Sequence, residues 1–131
     1  MITLYTDGGS RGNPGKAACA FVVLNDKDEV VFSSGKYLNI CTNNQAEYNG
    51  LIEGLRYLVK EGIKDVTVRM DSELVIKQVR GEYKVKDANI KLLIAEINSI
   101  LPLFEHITFN HIPREENDKA DLIVNEILDK Y

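Results

Sequence analysis

Four carboxylates stand where they could do chemistry together: Asp7, Glu47, Asp71 and Asp121. Asp7 follows the apolar run Ile2-Thr3-Leu4-Tyr5-Thr6 and precedes Gly8-Gly9-Ser10-Arg11-Gly12-Asn13-Pro14-Gly15, a stretch too rich in Gly and Pro to be core. An acid at the end of a strand and before such a turn sits on an open rim, poised to hold a cation. Asp71 closes a second apolar run, Asp65 to Met70, and Glu47 and Asp121 fall in the first turns of helical patterns. Converging carboxylates raise one another's pKa and cost stability unless a cation joins them. Because every ligand is oxygen, with no His or Cys at zinc spacing, the set selects Mg²⁺ or Mn²⁺ over Zn²⁺. Two such ions, about 4 Å apart, activate a water and stabilise the leaving oxygen of a phosphodiester.

Taken singly, each acid has a plainer explanation. Asp7 reads as a turn former, Asp71 as a helix N-cap, Asp121 as a solvated helix carboxylate and Glu47 as an ordinary helix glutamate. The joint pattern is what carries the metal reading, so the elements must bring the four together.

Met1 to Thr6 alternates, Lys16 to Leu24 is small and apolar, and Glu29 to Leu38 is rich in Val, Phe and Tyr, which predicts an antiparallel meander of three strands. Thr42-Asn43-Asn44-Gln45 has capping-box spacing and opens a helix, with Tyr48, Leu51, Ile52, Leu55, Leu58 and Val59 at helical intervals up to Gly62. Gly50 and Gly54 lower its propensity and let it sit close to a neighbour. A strand over Asp65 to Met70, helices over Ser72 to Val79 and Asn89 to Leu101, a strand over Ile107 to His111 and a helix over Asn117 to Tyr131 complete the order βββαβααβα. That order implies an α/β mixed sheet with parallel strands added through helical crossovers. If the first and fourth strands are parallel neighbours, Asp7 and Asp71 emerge side by side beyond their carboxyl ends, where ligands gather in such sheets. A nucleotide-loop reading of the Gly-rich stretch fails, because Ser10 and Ala17 stand where a Walker A needs Gly and Ser or Thr. Its glycines then serve to let a polymer's phosphates and sugars come close.

Composition bounds the rest. At 131 residues, 44% hydrophobic and 27% charged, one globular domain is expected over residues 1–131. No apolar run approaches the roughly 18 residues of a membrane span, and a soluble, cytoplasmic, monomeric protein is expected. Cys19 and Cys41 lie in no CxxC spacing and read as free thiols. The net charge of −4 argues against a protein that only coats nucleic acid, although Lys77 to Lys91 holds five cations against two anions.

The motifs Tyr5-Thr6-Asp7-Gly8-Gly9-Ser10 with Gly12-Asn13-Pro14-Gly15, Thr42-Asn43-Asn44-Gln45-Ala46-Glu47, Asp71-Ser72 and Asn117 to Asp121, in this order, resemble type 1 ribonuclease H over nearly the whole chain. The resemblance implies a ribonuclease H-like α/β fold on a five-stranded mixed sheet and hydrolysis of the RNA strand of RNA/DNA hybrids with two Mg²⁺ or Mn²⁺ ions, leaving 5'-phosphate and 3'-hydroxyl ends. It implies that Asp7 bridges both ions, that Asp121 helps hold the one activating water, and that Glu47 and Asp71 hold the one at the leaving group. It further implies that Asn13 and Thr42 contact a DNA-strand phosphate and that Asn44 meets the minor groove, which suits the sensing of 2'-hydroxyls there.

The chain also departs from the pattern. Glu73 stands where many relatives have a Gln that touches nucleic acid, the long basic protrusion of many members is missing, and no N-terminal hybrid-binding module is expected. For the mobile histidine that assists turnover in the family, His111 and Arg114 are the two candidates, ten and seven residues before Asp121. Arg keeps its charge at any working pH, whereas His can also pass a proton. His106 reads as structural. Two alternatives stay open: a non-catalytic nucleic-acid-binding module of the same fold, and a nuclease preferring double-stranded RNA or a Holliday junction.

Overall fold

The computed structural model describes residues 1–131. Nine main elements follow one another: β1 (Ile2–Gly12), β2 (Gly15–Leu24), β3 (Val30–Cys41), α1 (Asn43–Lys60), β4 (Asp65–Met70), α2 (Glu73–Val79), α3 (Ala88–Ile100), β5 (His106–His111) and α4 (Asp118–Lys130), with 3₁₀ turns at Leu101–Leu103 and Arg114–Asn117. The strands form one sheet in the order β3-β2-β1-β4-β5. β1–β2 and β2–β3 are antiparallel, whereas β1–β4 and β4–β5 are parallel, so the expected mixed α/β sheet is what forms.

The two faces are covered unequally. On one, α1 lays Tyr48, Leu51, Leu55 and Leu58 against Leu4, Phe21, Val66 and Val68, with α2 and α3 closing the same core through Val75, Ile76, Ile90 and Ile97. Each such fully buried side chain contributes about 1.5–3 kcal/mol of transfer free energy. On the other face α4 packs against β2 through Val124, Leu128 and Ala120 over Ala18, Ala20 and Val22. β2 is therefore buried on both faces from Ala17 to Leu24, which explains a run that is apolar without alternation.

The helix α1 starts as its sequence dictates. Thr42 Oγ1 accepts from the Gln45 amide at 3.1 Å, and Gln45 Oε1 accepts from the Thr42 amide at 2.9 Å, a complete capping box. Further along, Ser72 rather than Asp71 caps α2, its hydroxyl accepting from the Val75 amide, so the Asp71 side chain is free of capping duty.

One expectation is corrected. Asp7 does not end its strand: β1 runs on to Gly12, and the whole of Gly8–Gly12 is hairpin strand paired with β2 up to Gly12↔Gly15. What ends near Asp7 is the parallel partner, since pairing with β4 stops at Tyr5↔Arg69. Asp7 thus stands beyond the carboxyl end of β4 while its own strand continues, held by β2 alone. Two glycines, Gly8 and Gly50, also serve helix packing. A Cβ on Gly8 would lie 2.2 Å from the Ala46 carbonyl group, and one on Gly50 would lie 2.5 Å from the Asp7 oxygen. Hydrogen at both positions lets the first turns of α1 touch the β1 backbone. No helix is long and apolar enough to cross a membrane.

Candidate active site

That close contact determines where Glu47 goes. Five residues past the Thr42 cap, Glu47 leaves α1 directly over β1, and its Oε1 accepts from the Gly8 amide at 2.7 Å. Asp7 is the neighbouring residue, buried at 6% exposure. Asp71 follows the last residue of β4, the strand parallel to β1. One carboxylate oxygen from each of Asp7, Glu47 and Asp71 lies within 4.8 Å of the others. Asp121, in the first turn of α4, stands outside this group of three but lines the same open cleft of about 660 Å³.

The electrostatics bear the mark of that crowding. Burial first, then the charges of Asp71 and Asp121, push Asp7 up to about 7. Glu47 is raised well above its ordinary value by burial and by Asp7 and Asp71. Asp71 is also raised by burial, with its own backbone amide, then Arg114 and Asn117, pulling back. A set of buried oxygens that hold their charges only at a cost fits a divalent cation well. With no nitrogen or sulfur ligand in the cluster, the donors suit a hard ion.

The remaining expected residues separate by position. Asn13 and Asn44 line the cleft, whereas Thr42 does not and is engaged as the α1 cap. Asn13 Oδ1 accepts from the Asn43 amide at 3.1 Å, tying the β1–β2 turn to the head of α1. Arg114 lines the cleft, with its guanidinium 3.9 Å from Asp121 Oδ1. His111, the last residue of β5, instead faces Glu73, Nδ1 to Oε2 at 3.7 Å, and is not part of the cleft wall. Glu73 also has the Lys77 ammonium at 3.9 Å, an ion pair one helical turn away on α2.

Two asparagines to which the sequence motifs assign no role, Asn43 and Asn117, organise the site. Asn43 Oδ1 accepts from the Ser10 amide at 2.7 Å and from its hydroxyl at 3.1 Å, fixing the strand beyond Asp7. Asn117 is fully buried, and its Nδ2 donates to the Thr6 carbonyl at 2.9 Å, joining the residue before Asp7 to the start of α4. It stands at the N-cap of α4 yet makes no capping bond with its side chain. An Asn at a helix start normally signals a cap, which hides this use.

A five-stranded mixed sheet with a carboxylate-lined cleft at the ends of its parallel strands defines the class. The family described as reverse transcriptase-like matches residues 5–127. Ribonuclease HI of Halobacterium salinarum is 38% identical over 98% of this chain. The crystal structure of RNase H1 from that organism superposes with a TM-score of 0.95 at 36% identity, covering 99% of this chain and 98% of the other. LC11-RNase H1, solved in complex with an RNA/DNA hybrid, is 43% identical at a TM-score of 0.92, with 99% and 98% covered. The chain belongs to the type 1 ribonuclease H family. It spans 64% of the length of the Halobacterium protein and 35% of a mycobacterial bifunctional protein to which it is 39% identical.

Proposed function

We propose that the protein is a metal-dependent endoribonuclease that hydrolyses the RNA strand of RNA/DNA hybrids, leaving 5'-phosphate and 3'-hydroxyl ends. The observation that carries this reading is the cluster of Asp7, Glu47 and Asp71 oxygens within 4.8 Å in an open cleft. A non-catalytic binding module would gain nothing from such charges beside phosphates. The hybrid bound to LC11-RNase H1, at 43% identity, supports the substrate.

Asp7, Glu47, Asp71 and Asp121 would hold two Mg²⁺ or Mn²⁺ ions. Such ions supply a nucleophilic water and charge stabilisation at the leaving oxygen. The chain's own residues do the rest. Asp7 is positioned by two antiparallel strands, and Glu47 is locked by the Gly8 amide, so neither has to be ordered when substrate arrives. Arg114 faces the cleft beside Asp121 and offers a fixed positive charge to the scissile phosphate. Asn13 and Asn44 are polar wall residues suited to sugar and phosphate contacts, with Thr42 at the adjacent helix start. All these groups come from one chain, so a monomer suffices.

The test is incubation of labelled RNA/DNA hybrid, double-stranded RNA and double-stranded DNA with Mg²⁺ or Mn²⁺. Cleavage of the hybrid's RNA strand, yielding 5'-phosphate ends, is expected. Absence of hybrid cleavage with either metal over a wide concentration range removes the proposal, and faster cleavage of double-stranded RNA would reassign the substrate.

A further inference from the structure

Of the residues lining the cleft, two carry positive charge: Arg114 and Arg11. Arg114 stands by the acid cluster, 3.9 Å from Asp121. Arg11 lies four residues beyond Asp7 along β1, about 13 Å away at the rise of a strand. Its guanidinium contacts Asp129 Oδ1 at 2.6 Å and the Asn125 carbonyl at 3.5 Å, both on α4.

Directly across the hairpin, Arg11 pairs with Lys16, whose ammonium is held by the Tyr131 main-chain oxygen. Like charges on directly opposed strand residues destabilise a hairpin. Nothing in the packing demands them, since both side chains are exposed at the free end of the ladder. Nor do their partners compensate much. Arg11 and Asp129 are 48% and 68% exposed, and a pair so open to water is worth about 0–1 kcal/mol. Such a pair is exchanged for a better anion at little cost, and a guanidinium fork fits phosphate better than a single carboxylate oxygen.

We infer that Arg11, with Lys16 beside it, is a clamp for a backbone phosphate of the bound nucleic acid, and that Asp129 holds Arg11 in check until the phosphate displaces it. The inference rests on the proposed hybrid substrate and concerns its grip rather than its hydrolysis. The same cleft wall carries four acids that repel a polyanion, so the two arginines there help hold the strand over the metal-binding cluster. Each phosphate neutralised releases condensed counterions, which gives the clamp a measurable signature.

Binding of a fluorescent RNA/DNA hybrid is measured by anisotropy as a function of salt, in an Asp7→Asn background that prevents cleavage. Arg11→Ala is expected to weaken binding about tenfold and to lower the slope of log K against log salt by about one. Lys16→Ala acts in the same direction. Asp129→Asn frees Arg11 and is expected to tighten binding several-fold. A tether that merely fastens α4 would behave differently: Arg11→Ala and Asp129→Asn would weaken binding in parallel and lower Tm together. That result, or an Arg11→Ala protein with unchanged affinity and slope, overturns the inference. Hybrid cleavage by the unmodified protein is scored separately, so loss of the clamp and loss of the proposed activity are told apart.

Discussion

The Gly8 amide donates to Glu47 Oε1 at 2.7 Å, so the residue after one metal-binding candidate holds the side chain of another 39 positions away. This bond compensates part of the charge of a half-buried Glu47. The three carboxylates still repel one another, and the consequences are measurable.

Asp7→Asn is expected to abolish hybrid cleavage and to raise the melting temperature of the metal-free protein, because it removes one member of a repelling cluster. Asp7 titrates at about 7 in the fold against 3.8 ordinarily, so the native state binds more protons than the unfolded chain between those values. Metal-free stability therefore falls as pH rises from about 4 through 7, by a few kcal/mol at most. Thermal melts in EDTA across this window should show the decline in the parent protein and a weaker one in Asp7→Asn. Mg²⁺ should raise Tm more at pH 8 than at pH 5, where protons compete for the same oxygens. A parent curve that rises with pH in parallel with the variant's would contradict the assignment.

Gly8→Ala is expected to cost about 1–3 kcal/mol or more, since its Cβ would meet backbone atoms of Ala46 at 2.2 Å and the Glu47 amide nitrogen at 2.5 Å. Relief requires α1 to lift from β1, which carries Glu47 off the cluster and lowers activity too. Gly9→Ala is the control: its Cβ meets a Val124 methyl at 3.7 Å and Asn43 Oδ1 at 4.0 Å, both ordinary contacts. Urea titration of the two variants distinguishes a packing requirement from a general intolerance of side chains in this stretch.

Arg114→Ala should slow cleavage on the order of 10²-fold if its charge stabilises the scissile phosphate. His111→Ala should change the rate little, because His111 faces Glu73 rather than the cleft. Single-turnover rates for both variants decide the matter; the reverse ranking would return the role to His111.

Asn117→Ala removes the donor to the buried Thr6 carbonyl, and leaving that acceptor unsatisfied costs about 1–3 kcal/mol. It also withdraws one of the smaller influences that moderate the raised Asp71 pKa. A higher Mg²⁺ concentration for half-maximal cleavage should accompany the lower Tm, whereas a purely structural role predicts the Tm change alone.

Much of this protein is legible in local patterns. The capping box at Thr42, the apolar spacing of α1 and the breaks at Gly62 and Gly81 depend on neighbours within a few residues, and these elements stand where those patterns place them. The length of β1 was not legible in this way. Glycines that read locally as a turn are strand because β2 pairs with them and α1 packs on them, both long-range facts. That Arg114 lines the cleft while His111 turns to Glu73 is likewise a tertiary fact, since a strand end and a 3₁₀ turn aim side chains three residues apart at different neighbours.

From the order and type of its residues alone, this chain determined its elements, its four acids and their preference for a hard cation, because propensity, capping and ligand chemistry are properties of residues and short windows. Only the tertiary structure decided that Asp7, Glu47 and Asp71 meet within 4.8 Å while Asp121 stands apart, and that Asn43 and Asn117 hold the frame. Those outcomes rest on β1 outlasting its parallel partner and on two glycines that let a helix touch a strand, contacts between segments dozens of residues apart.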